Sequence, residues 1–493
     1  MSDEDSKIEG GGGAVKTAGL GDRRHLVLDA SQSGADTGPP VTTAPASASS
    51  SSFTADILRI GLPIALQNFV SALVNMLATV MVGSLGATSL AGVGLGNQVF
   101  FLLNLILFGV GTGGGVFLAQ YWGKRDLAGL RRSFGLALAL SLGAGLVFSV
   151  AAIAFPAFLL GLYSPDPAVI ALGARYLRIV GIGYIPTSLS LVLGLSIRSV
   201  ERVRLPLAAT TVSLGLNVLL SWLLIFGKAG FPALGVEGAA WATVIARFVE
   251  AFIIVTGCAV GRIPLLGRLG ELFDWGGGWV SRFFRVTWPV ILNEITWSLG
   301  ITLYNVIFAR IGTGAIASYN IVNSVSQLAL VLSFGLANAA AVMIGKKIGE
   351  GQQALAFSWA KRFALASPIL GLAMALLIVP FRLALPWLYA LPAPVLSEAG
   401  IMLLALAATF PFKVFNLVLI VGICRGGGDT KFSMYYDLAG VWGLGLPLAL
   451  LGAFVLGLPP WAVFLLTMSD DFAKSFVGVW RLFSKRWIRD VTA

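Results

Sequence analysis

Residues 93–119 read VGLGNQVFFLLNLILFGVGTGGGVFLA, with no charged side chain, and residues 319–345, 226 positions later, read YNIVNSVSQLALVLSFGLANAAAVMIG. The first stretch exceeds the roughly 20 helical residues that cross the hydrocarbon core of a bilayer. The second repeats its landmarks in register: Asn97 matches Asn323, and Phe108-Gly109 matches Phe334-Gly335. The same offset carries Pro63 to Pro289, Gly86 to Gly312, Ala91 to Ala317 and Gly123 to Gly349 without a gap. After one insertion the offset becomes 227, carrying Arg198 to Arg425, Gly230 and Pro232 to Gly457 and Pro459, and Ala246-Arg247 to Ala473-Lys474.

Similar apolar runs recur from Ile57 to Trp480 and predict twelve spans, at about 56–82, 93–119, 133–160, 169–196, 206–227, 236–260, 284–309, 315–343, 362–386, 399–423, 433–456 and 460–482. Composition agrees. Hydrophobic residues make up 57% of the 493 positions, charged residues 12%, and mean hydropathy is +0.87, whereas soluble chains are about one quarter charged. The runs do not alternate polar with apolar, so a closed barrel, the other structure that satisfies its backbone in lipid, is disfavoured. The expected fold is an all-α polytopic membrane protein, with twelve transmembrane helices in two six-helix lobes related by a parallel internal repeat. An even number of spans per repeat relates the copies about an axis along the membrane normal, with the site between them. The expected division is a disordered cytoplasmic tail (1–53), an N-terminal lobe (54–260), a cytoplasmic linker (261–283) made flexible by Gly276 to Gly278, and a C-terminal lobe (284–493). The tail follows from the Gly10 to Gly13 run and the Ser/Thr/Ala/Pro-rich tract from Ser31 to Thr54, which bury too little apolar surface to fold. With no apolar core behind its charges it is not a signal peptide, and the first span directs insertion.

Basic residues in short loops stay on the cytoplasmic side. Loops after even-numbered spans carry seventeen, among them Lys124, Arg131, Arg198, Arg282, Lys346 and Arg425; the opposite loops carry Arg175, Lys228, Arg310 and Arg382. Both termini are therefore expected in the cytoplasm, in the plasma (bacterial inner) membrane. The net charge of +11 is a topology signal; dispersed loop charges make no nucleic-acid surface. Cys258 and Cys424, both near cytoplasmic span ends, read as free thiols. The only histidine, His25, lies in the tail. With no HExxH, GxSxG or Walker sequence, hydrolytic, metal-dependent and ATP-driven chemistry lose their usual parts. No cofactor, no metal and no enzymatic activity are expected, and energy would come from an ion gradient.

Several motifs recur in order: Leu62-Pro63, Val82-Gly83-Ser84-Leu85-Gly86, Gly94 to Gln98, Ala119-Gln120-Tyr121-Trp122-Gly123, Leu224-Ile225-Phe226-Gly227, Leu234-Gly235-Val236-Glu237-Gly238-Ala239-Ala240 and Arg425-Gly426-Gly427-Gly428-Asp429-Thr430. From about residue 56 to 490 the chain resembles the multidrug and toxic compound extrusion (MATE) transporters. The resemblance implies two helical bundles, a cavity opening alternately to each side, and export of cationic or amphipathic compounds in exchange for sodium ions or protons. It also implies coupling carboxylates, and here the chain departs from the pattern. Ala78 stands where members bear an aspartate in the first helix, and the fifth-helix run offers Asn217 and Ser221 but no acid. Glu294 is kept, five residues after Pro289, with Asn68 as its repeat mate. The tenth-helix aspartate should fall near Val414, and the charged residue there is Lys413.

A carboxylate at this depth is costly unless paired or facing water, which makes Glu294 the first coupling candidate, with Lys413 as its expected partner. A static ion pair locking two helices is the bland alternative. Asp437 and Asp471 rank second, whereas Arg247/Glu250 and Asp470/Lys474 are spaced to satisfy one another on one helix face. Polar stripes at helical spacing supply cavity candidates: Asn68 and Asn75; Asn97 and Asn104; Glu294, Ser298, Thr302 and Asn305; Asn320, Ser324 and Gln327; with Asn293 and Asn323 beside them. Such stripes turn inward either to bond across helices or to line a wet cavity. Trp297 and Tyr304 could offer aromatic faces to a cationic substrate, although membrane aromatics more often pack. The glycines at 109, 111 and 113–115 read as sites of close helix approach. Expected partners are small-molecule substrates and the bilayer, the chain being monomeric. A lipid-linked precursor flippase should carry more basic residues inside its spans, a major-facilitator transporter fits the motifs poorly, and an intramembrane enzyme lacks its nucleophile.

Overall fold

The computed structural model describes residues 50–389 and 391–493; the tail expected at 1–53 lies outside them except for its last four residues. Those four already belong to the first helix. In chain order the helices are α1 (Ser50–Gly83), α2 (Ala87–Lys124), α3 (Leu127–Ala154), α4 (Pro156–Gly161), α5 (Pro167–Ile182), α6 (Tyr184–Ser199), α7 (Arg204–Phe226), α8 (Val236–Val260), α9 (Leu269–Leu272), α10 (Gly277–Ile311), α11 (Thr313–Gly349), α12 (Gln353–Leu388), α13 (Ala393–Leu417), α14 (Thr430–Gly440), α15 (Leu446–Leu450), α16 (Pro460–Thr467) and α17 (Ser469–Ser484). Three π-helical stretches, Val418–Cys424, Val441–Gly445 and Leu451–Val455, interrupt the tenth and eleventh spans.

Among the described residues, ten helices are long and apolar enough to cross a membrane. An eleventh crossing is the pair α5–α6, bent by 52°. The bend falls at Gly183, with Pro186 in the first turn of α6, where a missing N–H and a ring clash keep the helix from running straight through. The segment predicted as the twelfth span is helical but broken at Met468, and its second half carries Asp470, Asp471, Lys474 and Arg481. Those charges are buried, so its polarity is turned into the protein.

Local signals set the boundaries. Asp126 starts α3 by accepting from the Gly129 N–H at 2.9 Å, and Asp166 starts α5 by accepting from Ala168 N–H ahead of Pro167 at the first helical position. Pro63 and Pro289 sit inside α1 and α10 at equivalent places in the two lobes.

The segment between α8 and α10 is fastened to α3. Arg131 pairs with Glu271 at 2.8 Å and donates to the Pro264 carbonyl; Arg132 pairs with Asp274; Leu265 is fully buried. Gly277 and Gly278 open α10, so the glycines expected to lend flexibility begin a helix.

The lobes α1–α8 and α10–α17 meet at the end of the bundle that bears the basic loops. A methyl group at Gly109 would lie 2.8 Å from Ile291 Cα, and one at Gly113 would lie 2.9 Å from Thr287 Cα. Only glycine permits that approach of α2 to α10. Lys346 of α11 pairs with Glu201, just after α6, at 2.8 Å. Beyond α17 the chain turns back across both lobes. Trp487 is fully buried against Gly427, and the Arg489 N–H donates to Gly427 O at 2.8 Å. Gln120 of α2 donates to Arg489 O at 3.0 Å and accepts from Val491 N–H at 2.9 Å. Lys124–Asp490, at 3.0 Å, adds an ion pair.

Candidate functional site

A cavity of about 160 Å³ lies mostly within the C-terminal lobe, lined chiefly by residues of α10, α11, α13, α14 and α17, with Phe108 of α2 closing one side. It gathers Glu294, Asp437, Asp470 and Asp471 with Lys413, Arg425 and Lys474. Four carboxylates thus face three cations, one negative charge in excess. Glu294 is held by Arg425 at 2.7 Å, with side chains 13% and 4% exposed. This corrects the expected pairing with Lys413. The sequence puts Arg425 in a loop; the π-helical stretch Val418–Cys424 instead continues the span to it, and an inserted residue re-aims the side chains beyond it. Lys413 is half-buried and lines the same cavity, with no ion-pair partner within 4 Å among the described residues.

Lys474 is the hub of the remaining acids. Its ammonium lies 3.2 Å from Asp437, 3.1 Å from Asp470 and 3.7 Å from Asp471. Asp470 and Lys474 do pair at the expected spacing, but α14 and α17 bring Asp437 and Asp471 to the same amine, so the pair is not closed on itself. Neutral groups complete the cluster. Asn293 donates to Asp437 at 3.2 Å, and Asn416 donates to the Asp471 carboxylate at 3.1 Å and to its carbonyl at 2.7 Å. The Tyr436 hydroxyl, with one proton to donate, lies 2.6 Å from the Lys474 carbonyl and 2.9 Å from Asn416 Oδ1. Buried charges survive only when so paired and bonded.

Below the cavity, the motif from Arg425 to Thr430 is buried throughout. Asp429, wholly buried, accepts from Arg481 Nε at 2.9 Å and pairs with Arg489 at 3.0 Å.

The N-terminal lobe holds a larger cavity of about 460 Å³, lined by Asn75, Asn97, Asn104, Asn217, Phe100, Phe101, Tyr176, Tyr184 and Arg247. Ala78 and Ser221 line it as well, and no carboxylate does. Tyr176 donates to Asn97 at 3.2 Å and Asn217 to Thr243 at 3.2 Å. Arg247 is neutralised by Glu250 at 2.7 Å, as the spacing on α8 leads one to expect. Glu250, itself buried, also accepts from Thr210, which accepts from Gln67, which accepts from Arg198 at 2.6 Å. Among the described residues the lobe therefore has one buried carboxylate, behind the cavity wall.

Of the sequence candidates, Glu294, Lys413, Asp437, Asp471, Asn293, Trp297 and Tyr304 line the C-lobe cavity, and Asn75 and Asn97 the N-lobe cavity. Asn68, Ser298, Asn320 and Asn323 line neither. Ser298 is buried and its carbonyl accepts from Thr302, while Asn320 is exposed. Arg425, Asp470, Lys474 and Asn416 join the site without having been candidates. The repeat carried a signal for two of them, since Arg198/Arg425 and Arg247/Lys474 are cations at matched positions in both lobes.

Comparison with known proteins bears on all of this. The sequence pattern of the family described as MatE matches residues 63–223 and again residues 289–451, the two matches beginning at the paired prolines. A protein named "Probable multidrug resistance protein NorM" from Rhizobium meliloti (strain 1021) is 30% identical over 462 residues, covering 88% of this chain and 94% of its own. One of the same name from Thermotoga maritima is 26% identical over 397 residues, covering 80% and 84%. A crystal structure of a MATE protein in complex with MaL6 superposes with a TM-score of 0.81 at 20% identity, covering 88% of this chain and 97% of that one.

Proposed function

The chain belongs to the MatE family and is a membrane transporter of MATE type, not an enzyme, and from that premise we propose that it is a secondary antiporter. On this reading it exports small organic, cationic or amphipathic compounds, as the multidrug-resistance names of its relatives suggest, in exchange for protons or sodium ions by alternating access. It would work in the bacterial plasma membrane as a monomer with both termini in the cytoplasm, the basic end of the bundle facing inward.

The observation that carries the reading is the charge imbalance of the C-lobe cavity: four carboxylates against three cations. Such a group is completed by one further positive charge, a proton or a sodium ion, which competes with the tethered ammonium of Lys474 for the carboxylates. Lys474 therefore takes the place the sequence suggested for Lys413. Coupling to the lobes passes through Arg425. While Glu294 is ionised, Arg425 is drawn to α10; when a proton or cation neutralises Glu294, that attraction falls and Arg425, which also lines the interface with the N-terminal lobe, is free to move. The N-lobe cavity suits the cargo. It is the roomier of the two, with amide, hydroxyl and aromatic groups for an amphipathic molecule. An excess of acid in the C-lobe site also argues against an anionic lipid-linked cargo.

Glu294→Gln tests the coupling role. Drug binding should persist while gradient-driven efflux is lost; full gradient dependence in the variant would sink the assignment.

A further inference from the structure

A small cavity of about 50 Å³ lies between the lobes at their basic end, adjoining the C-lobe cavity, with which it shares Val421 and Arg425. Its charged lining is wholly cationic: Arg198 from the end of α6 and Arg425 from the end of the tenth span, repeat mates that the lobe packing brings to one cavity. The rest of its wall is small or neutral, including Gly111, Thr112, Gly115 and Asn338. The two arginines are not equally satisfied. Arg425 has Glu294 at 2.7 Å. Arg198 has one neutral acceptor, the Gln67 side-chain oxygen at 2.6 Å, and no carboxylate within 4 Å among the described residues. The neighbouring acid in sequence, Glu201, is taken by Lys346. The Nε–H groups of both Arg198 and Arg425 are buried with no acceptor.

A buried donor left unbonded is unfavourable, and Arg198 is in addition a part-buried guanidinium with no carboxylate in contact. One negative charge placed among these donors relieves both. Size narrows its nature: where one water needs about 10–15 Å³, 50 Å³ admits a monatomic ion with a water or two. We propose that the cavity between Arg198 and Arg425 binds a single small monovalent anion, of halide size, which bridges the two lobes at their closed end. Because the donors come from different lobes, the ion is bound as a bridge only while the lobes are together, and it stabilises that state over one in which they part.

The test uses the full chain purified in non-ionic detergent, with apparent Tm followed in sodium chloride, sodium bromide and sodium gluconate at equal sodium concentration. Gluconate is too large for the cavity. A saturable rise of about 2 °C or more in either halide, absent in gluconate, is expected. The halide-dependent part should vanish in Arg198→Gln, whatever that change does to the absolute Tm, and survive in part in Arg198→Lys. Glu294→Gln, which leaves Arg425 without its carboxylate, should enlarge it. Bromide anomalous scattering from a crystal should place the ion between the two side chains. Identical Tm in halide and gluconate across the concentration range, or an undiminished halide response in Arg198→Gln, would overturn the proposal.

Discussion

Replacing Lys474 by methionine removes the cation on which three acids converge while keeping most of the side-chain volume. At an effective dielectric of about 20, a unit charge pair 3.1 Å apart is worth about 5 kcal/mol and one at 3.7 Å slightly less. Those gross attractions are opposed by desolvation and by repulsion among the carboxylates. The net figure is better taken from buried pairs that lose one partner, about 3–5 kcal/mol. All four side chains are at most 12% exposed, so water does little to soften the loss. Lys474→Met should therefore lower the unfolding free energy in mild detergent by about 3 kcal/mol or more. Adding Asp470→Asn should restore more than about 1 kcal/mol of it, because the second change removes a charge the first left unpaired. A single variant as stable as the parent, or a coupling energy below about 0.5 kcal/mol, would refute the picture of Lys474 as hub.

Gly113→Val pushes side-chain atoms into the Thr287 backbone and should disfavour contact of the lobes by about 1–3 kcal/mol; maleimide labelling of a cysteine placed at Ser199 should accelerate, and unchanged labelling would contradict the packing. Trp487→Ala empties a fully buried site under the returning C-terminal segment and should cost about 3–5 kcal/mol, read as a lower midpoint in thermal unfolding. Asp490 lies outside the spans; burial pushes its carboxyl up, but hydrogen bonds from Thr492 and Lys124 outweigh this and hold it below the usual aspartate range. A depressed value in the folded state means that its contribution is full above about pH 4 and fades below it. Asp490→Asn should cost at most about 1 kcal/mol at pH 7 and less near pH 2, measured as the difference between parent and variant unfolding curves at the two pH values.

Helices and the repeat were legible because lipid imposes them: apolar length predicts a span, and glycines or prolines recurring at one offset predict equivalent packing. Glu294 stood out for the same reason, as an acid in a run that should not hold one. What could not be read was which partner each charge would find. Arg425 sits in a glycine-rich stretch that looks like a loop, and its burial arises from π-helical winding before it together with α17 and the returning segment after it. Asp437, Asp471 and Lys474 are 34 to 37 residues apart or share a helix, and only the packing of α14 on α17 joins them. Asn320 was placed in a cavity by its stripe, but a stripe fixes a face without fixing which neighbour covers it. The N-terminal lobe's acid was hidden too: Glu250 read as half of a closed pair, whereas Thr210 and Gln67 extend it to Arg198.

The central claim is that the C-lobe carboxylates couple transport to an ion. Its most direct test is efflux of a cationic dye from proteoliposomes holding the full chain, under an imposed proton gradient, an imposed sodium gradient, or neither. Transport against the dye gradient is expected with one of the two ions and none without; equal rates in all three conditions would contradict the claim.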